Sequence, residues 1–238
     1  MKLYTLQFKT LDDFKQNLEK LIALINQTTT DSLVLAPELC LNGYAYDRLD
    51  DAVSITQKAI PLLKELSTKR IISLTMTTKI NEEYFNTLHI FYQGKIVHTQ
   101  SKVQLFVLND EKKYFTAGDE EDIKIIEING IKIASVICFE LRFVELWQKL
   151  QGADIILIPA MWGKPRKENL ETLTQALAVI NQCYVCVANS SNEDMAGSSG
   201  IIEPFGSTIR DDSEEILEDT FDSKQIKKMR KYMNIGLK

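Results

Sequence analysis

The stretch Ile126-Glu-Ile-Asn129-Gly130-Ile-Lys-Ile-Ala-Ser-Val-Ile137-Cys138-Phe-Glu-Leu-Arg142 decides how the chain is read. Asn-Gly between two β-branched runs is the strongest short hairpin signal, because both residues accept the left-handed backbone of a two-residue turn. The run after it, Ile131 to Ile137, is mostly apolar and reads as a strand. It ends at a cysteine, and a helix is predicted from about Arg142 to Leu150, with Gly152 as its left-handed stop. A nucleophilic side chain therefore stands at the carboxyl end of an apolar strand, where the loops of layered α/β proteins converge.

The same reading extends in both directions. Lys2 to Phe8 is a predicted strand, and Thr10 is the expected cap of a helix with Leu11, Phe14, Leu18, Leu21, Ile22 and Ile25 at helical spacing. Ser32 to Ala36 is a short buried strand ending at Pro37. Ile55 to Leu66 is helical in period, with a break expected at Pro61. Ile71 to Thr78 is a strand, and Tyr84 to Tyr92 with Ile96 to Ser101 form a hairpin about Gln93-Gly94-Lys95. Further on come a strand at Asp154 to Pro159, a helix at Leu170 to Ile180, a strand at Tyr184 to Ala188, a hairpin about Pro204-Phe205-Gly206, and a basic helix starting at Asp222 or Ser223. Helices interleave with strands, yet several strand pairs are joined by tight turns. This predicts an α/β protein with mixed sheets and helical outer layers, in one domain spanning 1–238.

Of 238 residues, 45% are hydrophobic and 26% charged, which suits a folded globular chain. The formal net charge of -5 argues against nucleic acid as a partner. The apolar runs are too short to cross a membrane. The N-terminus lacks the apolar core of a signal peptide, so Cys40, Cys138, Cys183 and Cys186 are expected reduced, in a cytoplasmic setting.

Glu38, Lys102 and Cys138 each fall at or just past the end of an apolar strand. Together they suit acyl transfer. A thiol needs a base or a positive neighbour to become a strong nucleophile. Glu38 can take the thiol proton and later give one to a departing amine. Lys102 adds a positive charge that favours thiolate and stabilises an oxyanion, and the backbone N–H of Phe139 is a natural second donor.

Three segments carry a family resemblance: Ala36-Pro-Glu38-Leu-Cys-Leu-Asn-Gly-Tyr44, Ser101-Lys102-Val-Gln-Leu-Phe106 and Ile137-Cys138-Phe-Glu-Leu-Arg-Phe143. In sequence and order they resemble the signature segments of the nitrilase superfamily, the carbon–nitrogen hydrolases. The likeness continues through Glu111 to Gly118, Ile158 to Trp162, Asn181 to Asn189 and Gly200 to Gly206. The resemblance implies a four-layer α-β-β-α sandwich, usually a homodimer, working without metal or organic cofactor. It also implies a Glu38–Lys102–Cys138 triad, with Glu111 as a second glutamate that holds the lysine and helps position substrate. The expected substrate is a small linear amide, attacked by Cys138 to give a thioester. Val144 stands where many relatives carry proline, and Ala176 where arginine is common.

Tyr44 and Trp162 follow strand ends and are candidates either for the substrate pocket or for apolar caps on the sheet. Glu140 and Arg142 read as an opening-turn acid and a structural ion-pair partner, with a direct substrate role as the alternative reading. Cys183-x-x-Cys186 resembles a metal or redox motif, but its two residues lie three apart in an apolar strand and no second ligand pair accompanies them, so core packing is the expectation. Only His89 and His98 are present, and no Gly-x-Ser-x-Gly elbow occurs, which disfavours a serine triad. A metal-dependent phosphoesterase lacks the needed histidines. Hydrolysis of N-carbamoyl compounds, acyl transfer to an amine, and a non-catalytic binding role on the same fold remain the competing readings.

Overall fold

The computed structural model describes residues 1–237. Its strands are β1 Lys2–Leu6, β2 Ser32–Leu35, β3 Arg70–Ile80, β4 Glu83–Tyr92, β5 Lys95–Ser101, β6 Ile126–Ile128, β7 Ile131–Ser135, β8 Ile155–Pro159, β9 Tyr184–Ala188, β10 Gly200–Ile202, β11 Thr208–Ile209 and β12 Ile216–Thr220. The helices are α1 Phe14–Gln27, α2 Leu49–Leu66, α3 Glu111–Tyr114, α4 Val144–Lys149, α5 Lys167–Asn181 and α6 Ser223–Tyr232. The strands form two six-stranded sheets, in the orders β12-β1-β2-β3-β4-β5 and β11-β10-β9-β8-β7-β6. Each has a parallel centre (β1-β2-β3 and β7-β8-β9) flanked by antiparallel strands.

The sheets pack face to face. Leu3, Leu33, Leu35, Ile71, Leu88 and Ile90 of the first meet the apolar side chains of the second in one buried cluster. The alternate residues of β1 to β3, including Tyr4, Val34, Ile72 and Leu74, point outward and bury the apolar faces of α1 and α2. On the other side, Leu146 and Trp147 of α4 and Leu170 and Leu177 of α5 cover the second sheet. This is the expected α-β-β-α sandwich. Each fully buried Leu or Ile stabilises it by about 1.5–3 kcal/mol, so two-sided burial of the central strands dominates the fold.

Several local expectations need correction. The cap of α1 is Asp13, not Thr10: the Asp13 carboxylate accepts the N–H groups of Lys15 (2.9 Å) and Gln16 (3.1 Å), while Leu11 lies exposed before the helix. No break occurs at Pro61, and α2 runs through it. Proline there removes one N–H on the exposed side, while Ala52, Ile55, Ala59 and Leu63 anchor the opposite face. The Cys138–Arg142 segment is a 3₁₀ turn, so the following helix is delayed to Val144 and is short. The sequence reading missed the β3–β4 hairpin, whose turn residues Asn81 and Glu82 have φ of 48° and 68°. It also missed β12. The hairpins about Asn129-Gly130 and Pro204-Phe205-Gly206 form as expected, and Asp222 caps α6.

Candidate active site

Glu38 follows β2 across Pro37. Its N–H donates to the Ala160 carbonyl (3.2 Å) beyond β8, and the next residue, Leu39, turns left-handed at φ 46°. Lys102 follows β5; its N–H donates to the Asn86 carbonyl (2.8 Å), and its own carbonyl accepts the Gly118 N–H (2.9 Å). Glycine is required at 118, because a Cβ there would overlap the Ser101 carbonyl. Cys138 follows β7 and sits at φ 50°, a conformation costly for a residue with a Cβ, which makes it an elbow between strand and 3₁₀ turn. Glu38 and Lys102 thus come from one sheet and Cys138 from the other.

Lys102 is fully buried between two glutamates, its Nζ 2.9 Å from Glu38 Oε1 and 2.7 Å from Glu111 Oε1. It also donates to the Tyr44 hydroxyl at 3.2 Å. Burial works against the ammonium's charge, but Glu38, the Cys138 sulfur and Glu111 outweigh it and hold the lysine above its ordinary pKa. Glu111 is itself fixed, its second oxygen accepting the Phe106 N–H at 2.8 Å. Asn86 on β4 donates to Glu38 Oε1 at 2.9 Å, leaving Oε2 buried and without a hydrogen bond.

Burial pushes the Cys138 thiol well above its ordinary value, and the Glu38 charge raises it further. Lys102 and the Met161 backbone N–H pull it down and lose. Lys102 thus favours thiolate, as expected, but burial and the Glu38 charge outweigh it, so the site needs a base to take the proton as the sulfur attacks.

Glu140 is fully buried and joins the two halves of the site. One oxygen accepts the Val103 N–H (2.7 Å), next to Lys102, and the other accepts the Ile137 N–H (2.6 Å), next to Cys138. Burial pushes its carboxyl up to about 7, against those backbone donors and the charge of Lys102. The expected ion pair with Arg142 does not form. Arg142 instead donates to Asn169 Oδ1 (2.8 Å) and lies over the Trp162 ring at 4.8 Å.

A small cavity of about 20 Å³ touches Cys138 and is walled by Phe106, Phe139, Arg142, Met161, Trp162 and Arg166. That is room for about one water. Trp162 is buried in the core and also forms part of this wall. Tyr44 lies on the other side, contacting Lys102 and facing a larger cavity of about 590 Å³ that also reaches Met161. Phe139 lines the cavity, and its backbone N–H has no acceptor among the described residues. Cys186 is buried in β9 and Cys183 is buried just before it. Among the described residues no group of three His, Cys, Asp or Glu side chains could hold a metal, and no helix is long and apolar enough to cross a membrane. Asn86 and Met161 were missed in the sequence: Asn86 sits inside a strand and looks structural, while Met161 acts through its backbone. Only its position just past β8 pointed to it.

Two stacked mixed sheets thus bring a carboxylate, an ammonium and a thiol together at their strand ends. The carbon-nitrogen hydrolase family profile matches residues 5–231, and the chain belongs to that family. It is 33% identical over 196 residues to a 2-oxoglutaramate amidase of Bacillus subtilis (strain 168), covering 78% of this chain and 74% of that one. Identity to a deaminated glutathione amidase of Escherichia coli O157:H7 is 29% over 222 residues, covering 87% and 84%. Among solved structures, a Saccharomyces cerevisiae member of branch 10 of the nitrilase superfamily superposes with a TM-score of 0.87 at 22% identity, covering 99% of this chain and 95% of that one. The protein is an amidase-type carbon–nitrogen hydrolase.

Proposed function

We propose that this chain hydrolyses a small linear non-peptide amide through a thioester on Cys138. The observation that carries the reading is the buried Glu38–Lys102–Glu111 cluster standing against a cysteine that lines a cavity. Glu38 takes the thiol proton through its uncommitted Oε2 as the sulfur bonds to the amide carbon. The resulting oxyanion is met by the Lys102 ammonium and the Phe139 N–H; losing one such donor typically costs about 10²–10³ in rate. Collapse breaks the C–N bond, and Glu38 hands its proton to the nitrogen, which leaves as ammonia or an amine. Water then gives a proton to Glu38 while its oxygen attacks the thioester. Breaking the C–S bond releases the acid, and the proton returns to sulfur. Glu111 and Asn86 act by fixing Lys102 and Glu38.

The acyl chain is short, of the kind taken by aliphatic amidases or omega-amidases, and the family pattern pairs the chain with a second copy. The test is an amide panel with intact-mass detection of the acyl-enzyme. An adduct on Cys138 is expected, together with loss of turnover in Cys138→Ala. Wild-type turnover in that variant ends the reading.

A further inference from the structure

Strands β8 and β9 run side by side in parallel, and the residues just past their ends meet beside the reacting groups. Ala160, Met161 and Trp162, past β8, belong to neither helix nor strand, so no ladder satisfies their peptide groups. One planar peptide unit here touches both halves of the site. The Ala160 carbonyl accepts the Glu38 N–H at 3.2 Å, and the Met161 N–H hydrogen-bonds to the Cys138 sulfur. A plane of this kind cannot bend, but it can swivel about the bonds on either side of it. The end of β9 blocks both swivels. Before the plane, the Ala160 N–H donates to the Ala188 carbonyl at 2.8 Å. After it, the fully buried Asn189 takes hold. Asn189 Oδ1 accepts the Trp162 N–H at 2.7 Å, while Nδ2 donates to the Trp162 carbonyl at 3.3 Å and to the Gly197 carbonyl at 2.8 Å. Both amide hydrogens are thus spent on backbone carbonyls. The Ser199 hydroxyl holds the Asn189 backbone in turn, accepting its N–H at 2.8 Å and donating to its carbonyl at 3.2 Å.

We infer that Asn189 is a positioning residue for the reaction, clamping the Ala160–Met161 peptide so that its N–H stays aimed at the Cys138 sulfur and its carbonyl at the Glu38 backbone. This rests on Cys138 as the attacking residue and is indifferent to which amide is cleaved. The Met161 N–H stabilises negative charge on sulfur, both as the thiol proton leaves and as the C–S bond of the thioester breaks. The Ala160 carbonyl sets the height of Glu38 against that sulfur. An amide suits the clamp because it offers an acceptor and two donors in one plane, matching the N–H and two carbonyls around it. Alanine at 189 leaves the Trp162 N–H without its acceptor and the Gly197 carbonyl without this donor, and it frees the peptide to turn away from the sulfur.

The experiment compares wild type, Asn189→Ala and Ser199→Ala in the purified full chain, using the amide of the panel above that turns over fastest. Asn189→Ala should lower kcat by about 10–100-fold, the scale of a misplacement of about 1 Å at a reacting centre, with KM little changed. Ser199→Ala removes two hydrogen bonds from the back of the same residue and leaves its side chain on Trp162. It should lower the melting temperature yet keep kcat within about twofold. Asn189→Asp keeps the shape but turns a second oxygen toward the two carbonyls unless it is protonated, so its kcat relative to wild type should recover as the pH is lowered. A second readout needs no turnover: alkylation of Cys138 by iodoacetamide, followed by peptide mass, should slow about tenfold in Asn189→Ala, the size of one hydrogen bond to a charged group. Ser199→Ala should alkylate at the wild-type rate. An unchanged kcat in Asn189→Ala, an equal loss in Ser199→Ala, or alkylation as fast in Asn189→Ala as in wild type overturns the positioning role. Absence of any acyl adduct on Cys138 would instead indict the thioester reading, and the alkylation comparison judges Asn189 independently of it.

Discussion

Glu140→Gln tests whether one buried carboxylate holds the two sheets' reactive ends in register. Glutamine keeps the volume but offers one oxygen where Glu140 offers two, so either the Val103 or the Ile137 N–H loses its acceptor and faces an amide N–H₂ instead. A hydrogen bond to a charged group contributes about 1.5–3 kcal/mol, and a misplacement of about 1 Å at a reacting centre can cost on the order of 10²-fold in rate. We expect kcat to fall at least about tenfold with little change in KM. The pH dependence supplies a second, sharper readout. Burial raises the folded-state value from 4.5 to about 7, so the folded chain holds this proton more tightly than the unfolded one. The group's stabilising contribution is complete below 4.5 and is lost as pH rises through about 7, a change of roughly 3 kcal/mol. Urea unfolding from pH 5 to pH 8 should show this descent in wild type and its absence in the variant. Parallel stability curves with an unchanged kcat would refute the argument.

Other perturbations have equally definite outcomes. Lys102→Met leaves Glu38 and Glu111 buried without their shared cation; stability should fall by about 3–5 kcal/mol near neutrality, partly recovered at acidic pH, in the same urea titration. Gly118→Ala forces the Ser101 carbonyl aside and with it Lys102, so both thermal stability and turnover should drop, whereas Gly130→Ala, with open space around its Cβ, should lose stability through backbone conformation alone and keep its turnover. Pro61→Ala restores a helix hydrogen bond on the exposed side of α2 and should raise the unfolding free energy by about 1–3 kcal/mol without altering kinetics.

The sandwich was legible because its central strands are buried on both faces, and such strands are written as unbroken apolar runs: Leu33 to Ala36, Ile155 to Ile158, Tyr184 to Ala188. Edges were harder. β12 alternates and carries Glu218 and Asp219, so nothing in Ile216 to Thr220 separates it from a loop until β1 pairs with it. The Asn81-Glu82 turn hid because glutamate took the left-handed place usually given to glycine. In the site, apolar runs placed Glu38, Lys102 and Cys138 at strand ends, and the family resemblance gave them their proposed roles. The contribution of Met161 is a backbone N–H, which no side-chain pattern encodes. Glu140 looked like one more acid beside an arginine, and only the approach of Val103 from the other sheet gives it its partner. Charge balance was likewise out of reach: whether Lys102 or burial governs the sulfur depends on the absence of water, which the chain's order alone does not specify.

The reactive groups hang from opposite halves of the sandwich, Glu38 and Lys102 from one and Cys138 from the other. On the proposed chemistry, activity is a caliper set across the gap between them. A slip of the halves too slight to change helix or strand content still opens the jaws, so mild heating or low urea should silence the enzyme before circular dichroism registers any loss of structure. Ligands that grip both halves at once should close that interval.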